Sequence, residues 1–453
     1  MLIKLALGNV RRSACDFSVY FLTLICAVCL LYSFLASTDY LLALELTSDQ
    51  RSAFAQAGGV FQAFAVFIGV IFCFLLGYAN AFLLRRRKRE LGIYMLLGLM
   101  PRHVSFVLVV ECLAVGVVAL AGGLVMGYVL SPLFGAVAAF VFGVPWRPEL
   151  VFAPDPAFQC ACSFAVISMV AAACAVHGVM KRPLAELMCA VKAPDRLRFA
   201  GVRSVRVQML AAAVLLALVW GTCLFNPGYF IVFIVPMGFI ALFGTYFLIR
   251  VIAVRVPECL RRRVDRYWSG LMPFTVRQLE ARSESGAMAA SAVCVLLAAS
   301  MCMTIVGLAF SVGMRMGEFI EGSDMLLPIA YACVFYGASF LVAAAAVLAL
   351  QQPSQALDAR ARYRTLEVLG TPADMVRSSI MWQVGVCFTL PAALACVHCI
   401  FGFTLIGIIS IMMEAEGFFV FALGALALTG AVLAMYFAVT VAACRRQLTF
   451  PLS

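Results

Sequence analysis

The sequence predicts an all-α protein that crosses a membrane about ten times, and composition and patterning carry that prediction. The 453 residues are 65% hydrophobic, only 12% of them are charged, and the mean hydropathy is +1.05. A soluble chain is ~45–50% apolar and ~25% charged, so this chain has too little polar surface to enclose it in water. The apolar stretches are continuous rather than alternating, and their lengths match the ~20 residues that a membrane-spanning helix needs.

Ten apolar stretches are predicted to span the membrane, arranged as four helices, then a central pair, then four more helices. Asn226, Pro227 and Gly228 mark a tight turn between the two central spans. We therefore divide the chain into a four-helix half (1–180), a basic linker (181–208), a two-helix hairpin (209–250) and a second four-helix half (251–453). The predicted spans are 17–36, 61–84, 104–130, 158–179, 209–225, 229–249, 287–313, 327–350, 380–409 and 418–443.

Lysine and arginine set the predicted orientation. If the N-terminus lies inside, every Lys and Arg except Arg51, Arg147 and Arg315 falls on the inner side. Cytoplasmic loops carry an excess of these residues, so both termini are expected in the cytoplasm. The first span is longer than a signal-peptide core and lacks a convincing cleavage site, so it is expected to remain.

Composition and motifs exclude several classes of function. The net charge of +11 comes from short basic runs between apolar stretches, so neither nucleic-acid binding nor intrinsic disorder is expected. The chain has no phosphate-binding loop of the G-x-x-x-x-G-K-[ST] kind and no hydrolase motif, so we expect no catalytic residues and no ATPase activity of its own. Most of the 18 cysteines fall inside predicted spans, where they act as small apolar residues. Even the cluster Cys396, His398 and Cys399 offers fewer ligands than a zinc site needs, so no metal is expected.

Polar groups inside the predicted spans are scarce. Glu111 is the clearest case, and the sequence leaves open whether it lies at an aqueous helix edge or pairs inside the bundle. This scarcity disfavours an ion-coupled carrier, which usually holds several ionisable groups at the membrane midplane. The small residues Ala121, Gly122 and Gly123 favour helix–helix contact over a ligand path.

A basic and apolar passage occurs twice. The copies are LLRRRKRELGIYMLLGLMPRHV (83–104) and RARYRTLEVLGTPADMV (360–376). Aligning Gly98 with Gly370 also aligns Glu111 with Gln383. Each copy ends a helical stretch in Leu-Gly, and a proline follows shortly after, which is typical of a helix stop and a new start. A short amphipathic stretch precedes the first span of each half, at 5–13 and 274–282, and is expected on the inner membrane surface.

These passages resemble the cytoplasmic coupling segments of the FtsX-like permease family, the membrane subunits of ABC systems of the MacB and BceB kind. GVMKRPLAELM (178–188) is similar to the segment that follows the fourth helix in that family. The resemblance implies two FtsX-like four-helix halves that dock on a separate ABC ATPase homodimer, which binds ATP-Mg; this chain binds no cofactor. The implied coupling residues are Arg85, Arg89, Glu90, Gly92, Tyr94, Gly98, Pro101, Arg102, Arg364, Glu367, Gly370 and Pro372.

The resemblance implies a permease subunit in the inner, or cytoplasmic, membrane of a bacterial cell. It also implies that the subunit exports or releases an amphipathic substrate, such as a peptide antibiotic or a lipid-like molecule. Relatives of the BceB type carry a large outer domain after the seventh span, whereas this loop covers only 314–325. That difference keeps open a non-transporting sensor that signals to a histidine kinase, and an ion-coupled carrier stays a weaker alternative. Basic residues such as Arg85–Arg89 are also expected to contact anionic lipids. Tyr363 and Thr365 depart from the apolar or acidic residues expected there.

Overall fold

The computed structural model describes residues 2–12, 14–36, 90–142, 152–180, 202–315 and 327–412, together with scattered positions between and after them. These residues are helical almost throughout, and no β-strand occurs among them. The chain forms two compact units, Met1–Ala193 with Gly307–Phe335, and Pro194–Val306 with Tyr336–Ser453. The division into halves, linker and hairpin stays a prediction.

The first unit is built around two long apolar helices. Its described helices are α1 (Leu2–Arg12), α2 (Ala14–Leu35), α3 (90–96), α4 (Pro101–Val129), α5 (Ser131–Phe142) and α6 (Pro154–Met180). α4 packs along α2 and also contacts α1 and α6. The residues 307–315 and 327–335, from the end of one long helix and the start of the next, also belong to this unit.

The second unit contains the central hairpin and three long helices. Its elements are α7 (Val202–Phe225), α8 (Pro227–Val232), α9 (Ile234–Arg262), α10 (Val264–Tyr267), α11 (Met272–Arg315), α12 (Leu327–Val368) and α13 (Ala373–Met412). α7 packs on α9 through a cluster that includes Val219, Met237 and Ala241. The turn predicted at Asn226 is present, and the short helix α8 extends it.

Seven helices in the described part are long and apolar enough to span a membrane, which confirms an all-α polytopic membrane protein. A shorter apolar helix, Leu24–Leu35, lies within the predicted first span. The predicted span 61–84 and half of the predicted span 418–443 lie outside the described residues, so the count of ten stays a prediction. The stretch 131–157, predicted as a loop, instead contains α5, an apolar helix that is too short to span.

Glycine brings α4 close to α2. A Cβ atom on Gly123 would lie 2.5 Å from Cβ of Val28 and 3.0 Å from the carbonyl oxygen of Ile25. A Cβ atom on Gly127 would lie 2.5 Å from the Tyr32 ring. Small residues allow such close approach between membrane helices. The prediction that Gly123 serves helix contact is confirmed.

Candidate functional site

The first turn, Leu97–Gly98, joins α3 to α4 with a complete Schellman motif. The Gly98 amide donates to the Met95 carbonyl at 3.1 Å, and the Leu99 amide donates to the Tyr94 carbonyl at 3.1 Å. Gly98 has φ +92°, a left-handed conformation that costs other residues ~1–2 kcal/mol. Pro101 then begins α4, where its missing amide hydrogen is no loss. The local sequence therefore fixes a sharp reversal.

The second turn, Leu369–Gly370, joins α12 to α13 with the same geometry. The Thr371 amide donates to the Leu366 carbonyl at 3.0 Å, which corresponds to the Leu99–Tyr94 bond. Gly370 has φ +87°. Among the described residues, Gly98, Gly370 and Gly270 are the glycines with positive φ. The repeat in the sequence is therefore a repeat in structure at its turn.

Each turn carries exposed apolar side chains at its tip. Leu97 is 76% exposed and Leu369 is 75% exposed. Leu96 and Val368, which precede them, are 58% and 81% exposed. Below the first tip, Leu91, Val104 and Leu108 form a buried cluster against which Tyr94 and Leu99 pack. Each tip thus presents apolar surface on a rigid base, as a docking element would.

A partly buried polar cluster anchors the first turn; we call it the first junction and define it as Asn9, Tyr94 and Glu111. The Asn9 Nδ2 of α1 donates to the Tyr94 hydroxyl at 3.0 Å and to Glu111 Oε1 at 2.9 Å. Glu111 is fully buried in α4. The sequence leaves open whether Glu111 lies at an aqueous helix edge or pairs inside the bundle, and in the structure it is paired with Asn9 inside the bundle. The amphipathic helix, the turn and the span are thus tied at one point.

A corresponding cluster anchors the second turn; this second junction consists of Thr275, Tyr363, Ser379 and Gln383. The Thr275 hydroxyl bonds Ser379 Oγ at 2.7 Å, and the Tyr363 hydroxyl bonds the same atom at 3.0 Å. Gln383 Nε2 donates to the Tyr363 hydroxyl at 2.7 Å. The Tyr363 ring also packs edge-on against Phe274. Again one cluster ties the start of α11 to both helices of the turn.

Comparison with known proteins finds a family model that matches the segment around the first turn. Residues 62–184 match the family model described as FtsX-like permease C-terminal. This segment is similar to an FtsX-like permease domain. It contains the first turn, Tyr94 and Glu111, so the geometry of the first turn lies within the matched segment.

Two curated relatives from Bacillus subtilis (strain 168) are ABC transporter permeases. The ABC transporter permease protein YxdM is 25% identical over 152 residues, which is 32% of this chain and 24% of that protein. The uncharacterized ABC transporter permease YvcS is 22% identical over 268 residues, which is 59% of this chain and 40% of that protein. The chain thus covers well under two thirds of these relatives. Together with the FtsX-like domain, they support a membrane permease subunit of the ABC kind.

The structure separates the predicted coupling residues into buried, turn and exposed positions. Gly92 is buried in α3, and Tyr94 and Glu111 meet through Asn9. Gly98 and Gly370 form the turns, and Gln383 belongs to the second junction. The exposed positions are Glu90, Pro101, Arg102, Arg364 and Pro372. The residues Arg85 and Arg89 and the Glu367 side chain lie outside the described part. The coupling roles of these residues stay predictions.

Sequence reasoning missed three junction residues and undervalued a fourth. Asn9, Thr275 and Ser379 were not singled out, because a short polar residue near a membrane edge carries no distinct pattern. Tyr363 departs from the apolar or acidic residue that the family resemblance predicts at that position. It occupies the position of Leu91, is 3% exposed, and places its hydroxyl between Ser379 and Gln383. The signal that could have found it is the repeat, which aligns Tyr363 with Leu91 and Gln383 with Glu111.

His398 belongs to a separate contact in the second unit. Trp220 Nε1 donates to His398 Nδ1 at 3.2 Å, and the Thr245 hydroxyl bonds His398 Nε2 at 2.9 Å. An indole nitrogen only donates, so Nδ1 is the acceptor and the ring proton lies on Nε2. Both ring nitrogens therefore serve to join α13 to the central hairpin. The described residues contain no group of three or more candidate metal ligands.

Proposed function

We propose that this chain is the permease subunit of an ABC complex whose ATPase subunits are separate chains. The observation that carries the proposal is the pair of turns, each with an exposed apolar tip and a buried polar anchor. In this proposal Leu97 and Leu369 insert into the surfaces of an ATPase homodimer that binds ATP-Mg. The FtsX-like domain and the two relatives support the assignment.

The mechanism is mechanical. Closure of the ATPase dimer on ATP moves both turns, and each junction transmits the movement to the span that follows it. Because Asn9 also bonds Glu111, the amphipathic helix α1 moves with α4 rather than independently. The helices then export or release an amphipathic substrate, a peptide antibiotic or a lipid-like molecule, as in peptide resistance systems. The turns lie on the cytoplasmic side in this scheme, as the distribution of lysine and arginine predicts.

The test is association with a candidate ABC ATPase, measured in nanodiscs as binding affinity and as ATPase stimulation. Leu97→Asp and Leu369→Asp place a charge on each tip, and each is expected to weaken binding at least tenfold. The reason is that burying a leucine side chain contributes ~1.5–3 kcal/mol, and ~1.4 kcal/mol corresponds to tenfold. Val264→Asp is the matched control, because Val264 is an exposed apolar residue (61%) on α10 and belongs to neither turn.

The combined variant, with both leucines changed, is expected to abolish co-purification and ATPase stimulation while leaving thermal stability unchanged. Undiminished affinity in the combined variant would contradict docking through the turns. Equal loss with Val264→Asp would show that the effect comes from charge in general rather than from the tips.

A further inference from the structure

A groove runs along one side of α13 and begins just after the second turn. It encloses about 730 Å³, within the ~300–1,000 Å³ typical of ligand sites. Its lining residues on α13 recur every three or four positions, so they share one face of the helix. They are Asp374, Arg377, Ser378, Met381, Trp382, Gly385, Val386 and Thr389, and Phe437 lines it from the last stretch of the chain.

The groove is polar at one end and apolar at the other. Asp374, Arg377 and Ser378 are exposed at the first turns of α13. Among the described residues, neither Asp374 nor Arg377 forms an ion pair with a protein group. Trp382 follows and is 57% exposed, a position typical of tryptophan at a membrane interface.

The deep end offers apolar walls and open space. Thr389 donates its hydroxyl to the Gly385 carbonyl at 2.7 Å, so its hydroxyl is already satisfied within the helix. A Cβ atom on Gly385 would meet no other atom within 4 Å. Phe437 contacts Phe388 edge-on with ring centroids 5.6 Å apart, and so forms a fixed wall. At ~1.5 Å per residue, the distance from Asp374 to Thr389 is about 22 Å, which exceeds half of the ~30 Å hydrocarbon core.

We propose that this groove binds one phospholipid with an ethanolamine headgroup. The Arg377 guanidinium and the Ser378 hydroxyl bind the phosphate, since arginine pairs well with phosphate oxygens. The Asp374 carboxylate binds the ammonium group. One acyl chain lies along Met381, Gly385 and Val386 against Phe437. The zwitterionic headgroup follows from the charged residues that line the groove, because they are one cation, Arg377, and one anion, Asp374, rather than a cluster of cations.

The experiment measures binding of dioleoyl phosphatidylethanolamine to the full delipidated chain by native mass spectrometry. Arg377→Gln is expected to lower the affinity about tenfold, and Arg377→Lys is expected to keep most of it. Gly385→Leu places a side chain in the groove at a position where a Cβ atom meets no protein atom within 4 Å, and it is expected to lower the affinity for phosphatidylethanolamine and phosphatidylglycerol alike. Asp374→Asn is expected to lower the affinity for phosphatidylethanolamine and to leave the affinity for phosphatidylglycerol unchanged or higher.

Matched controls are available in the chain. Arg277 is another exposed arginine near a predicted inner membrane edge, and a Cβ atom on Gly238 of α9 also meets no atom within 4 Å. Arg277→Gln and Gly238→Leu are therefore expected to bind phosphatidylethanolamine with the affinity of the unsubstituted protein. If Arg377→Gln and Gly385→Leu bound phosphatidylethanolamine with the affinity of the unsubstituted protein, the proposal would be overturned. Tighter binding of phosphatidylglycerol by the parent, or competition by inorganic phosphate at millimolar concentration, would overturn it too. The outcome does not depend on an ATPase partner.

Discussion

The two junctions hold equivalent turns with different chemistry. In the first junction a carboxyl group, Glu111, accepts from an amide on the amphipathic helix. In the second junction Gln383 donates to a tyrosine hydroxyl, and the link to α11 runs through the hydroxyl groups of Thr275 and Ser379. The turn geometry is thus retained while the anchor is rebuilt. The two halves therefore share the backbone reversal and a polar anchor beside it, but the residues that form the anchor differ.

The amphipathic stretches differ in the same way. Aligning the two stretches pairs Asn9 with Gln278. Asn9 makes both hydrogen bonds of the first junction. Gln278 is 3% exposed, and neither of its amide atoms has a hydrogen-bond partner among the described residues. The second amphipathic stretch therefore has a buried amide at the aligned position, and that amide makes no hydrogen bond to the second junction.

Removing the polar side chain from each anchor gives the largest expected effect. Glu111→Ala deprives Asn9 of a buried acceptor and leaves a cavity, and we expect a loss of about 3 kcal/mol in the free energy of unfolding. Gln383→Ala is expected to cost about half as much, because Tyr363 keeps Ser379 as a partner. Denaturant titration in micelles, followed by tryptophan fluorescence, measures both. Glu111→Gln is the control, since its amide oxygen still accepts from Asn9; equal losses in the two alanine variants would contradict the comparison.

How far the sequence predicts this site depends on the kind of residue. The helices, the two turns and the alignment of Glu111 with Gln383 follow from apolar runs and Leu-Gly endings, which are local signals. Asn9 and Ser379 could not be predicted, because their roles come from contacts between segments far apart in the chain. The helix α5 was missed because an apolar stretch of 12 residues is too short to indicate a span, and it was assigned to a loop.

Replacing Asn9 and Gln278 by leucine is expected to change the free energy of unfolding in opposite directions. Asn9→Leu removes both donors to Tyr94 and Glu111, and we expect a loss of about 2 kcal/mol in the free energy of unfolding. Gln278→Leu removes a buried amide that has no partner among the described residues, so we expect a gain of about 1 kcal/mol. The same titration measures both variants. A loss with Gln278→Leu comparable to that of Asn9→Leu would show that the second amide also holds its junction.

Replacing the glycine of each turn is expected to give nearly equal effects in the two halves. Gly98→Ala and Gly370→Ala each place a side chain at φ +92° or +87°, and we expect each to cost about 1–2 kcal/mol in the free energy of unfolding. Neither Cβ atom would meet another atom within 4 Å, so the cost comes from the backbone alone and does not depend on the anchor. Gly238→Ala, which lies inside α9 with open space around it, is the control and is expected to gain up to about 1 kcal/mol. Denaturant titration of all three variants checks this. Unequal losses at Gly98 and Gly370 would mean that the anchors strain one turn more than the other, and that the two junctions differ in backbone as well as in chemistry.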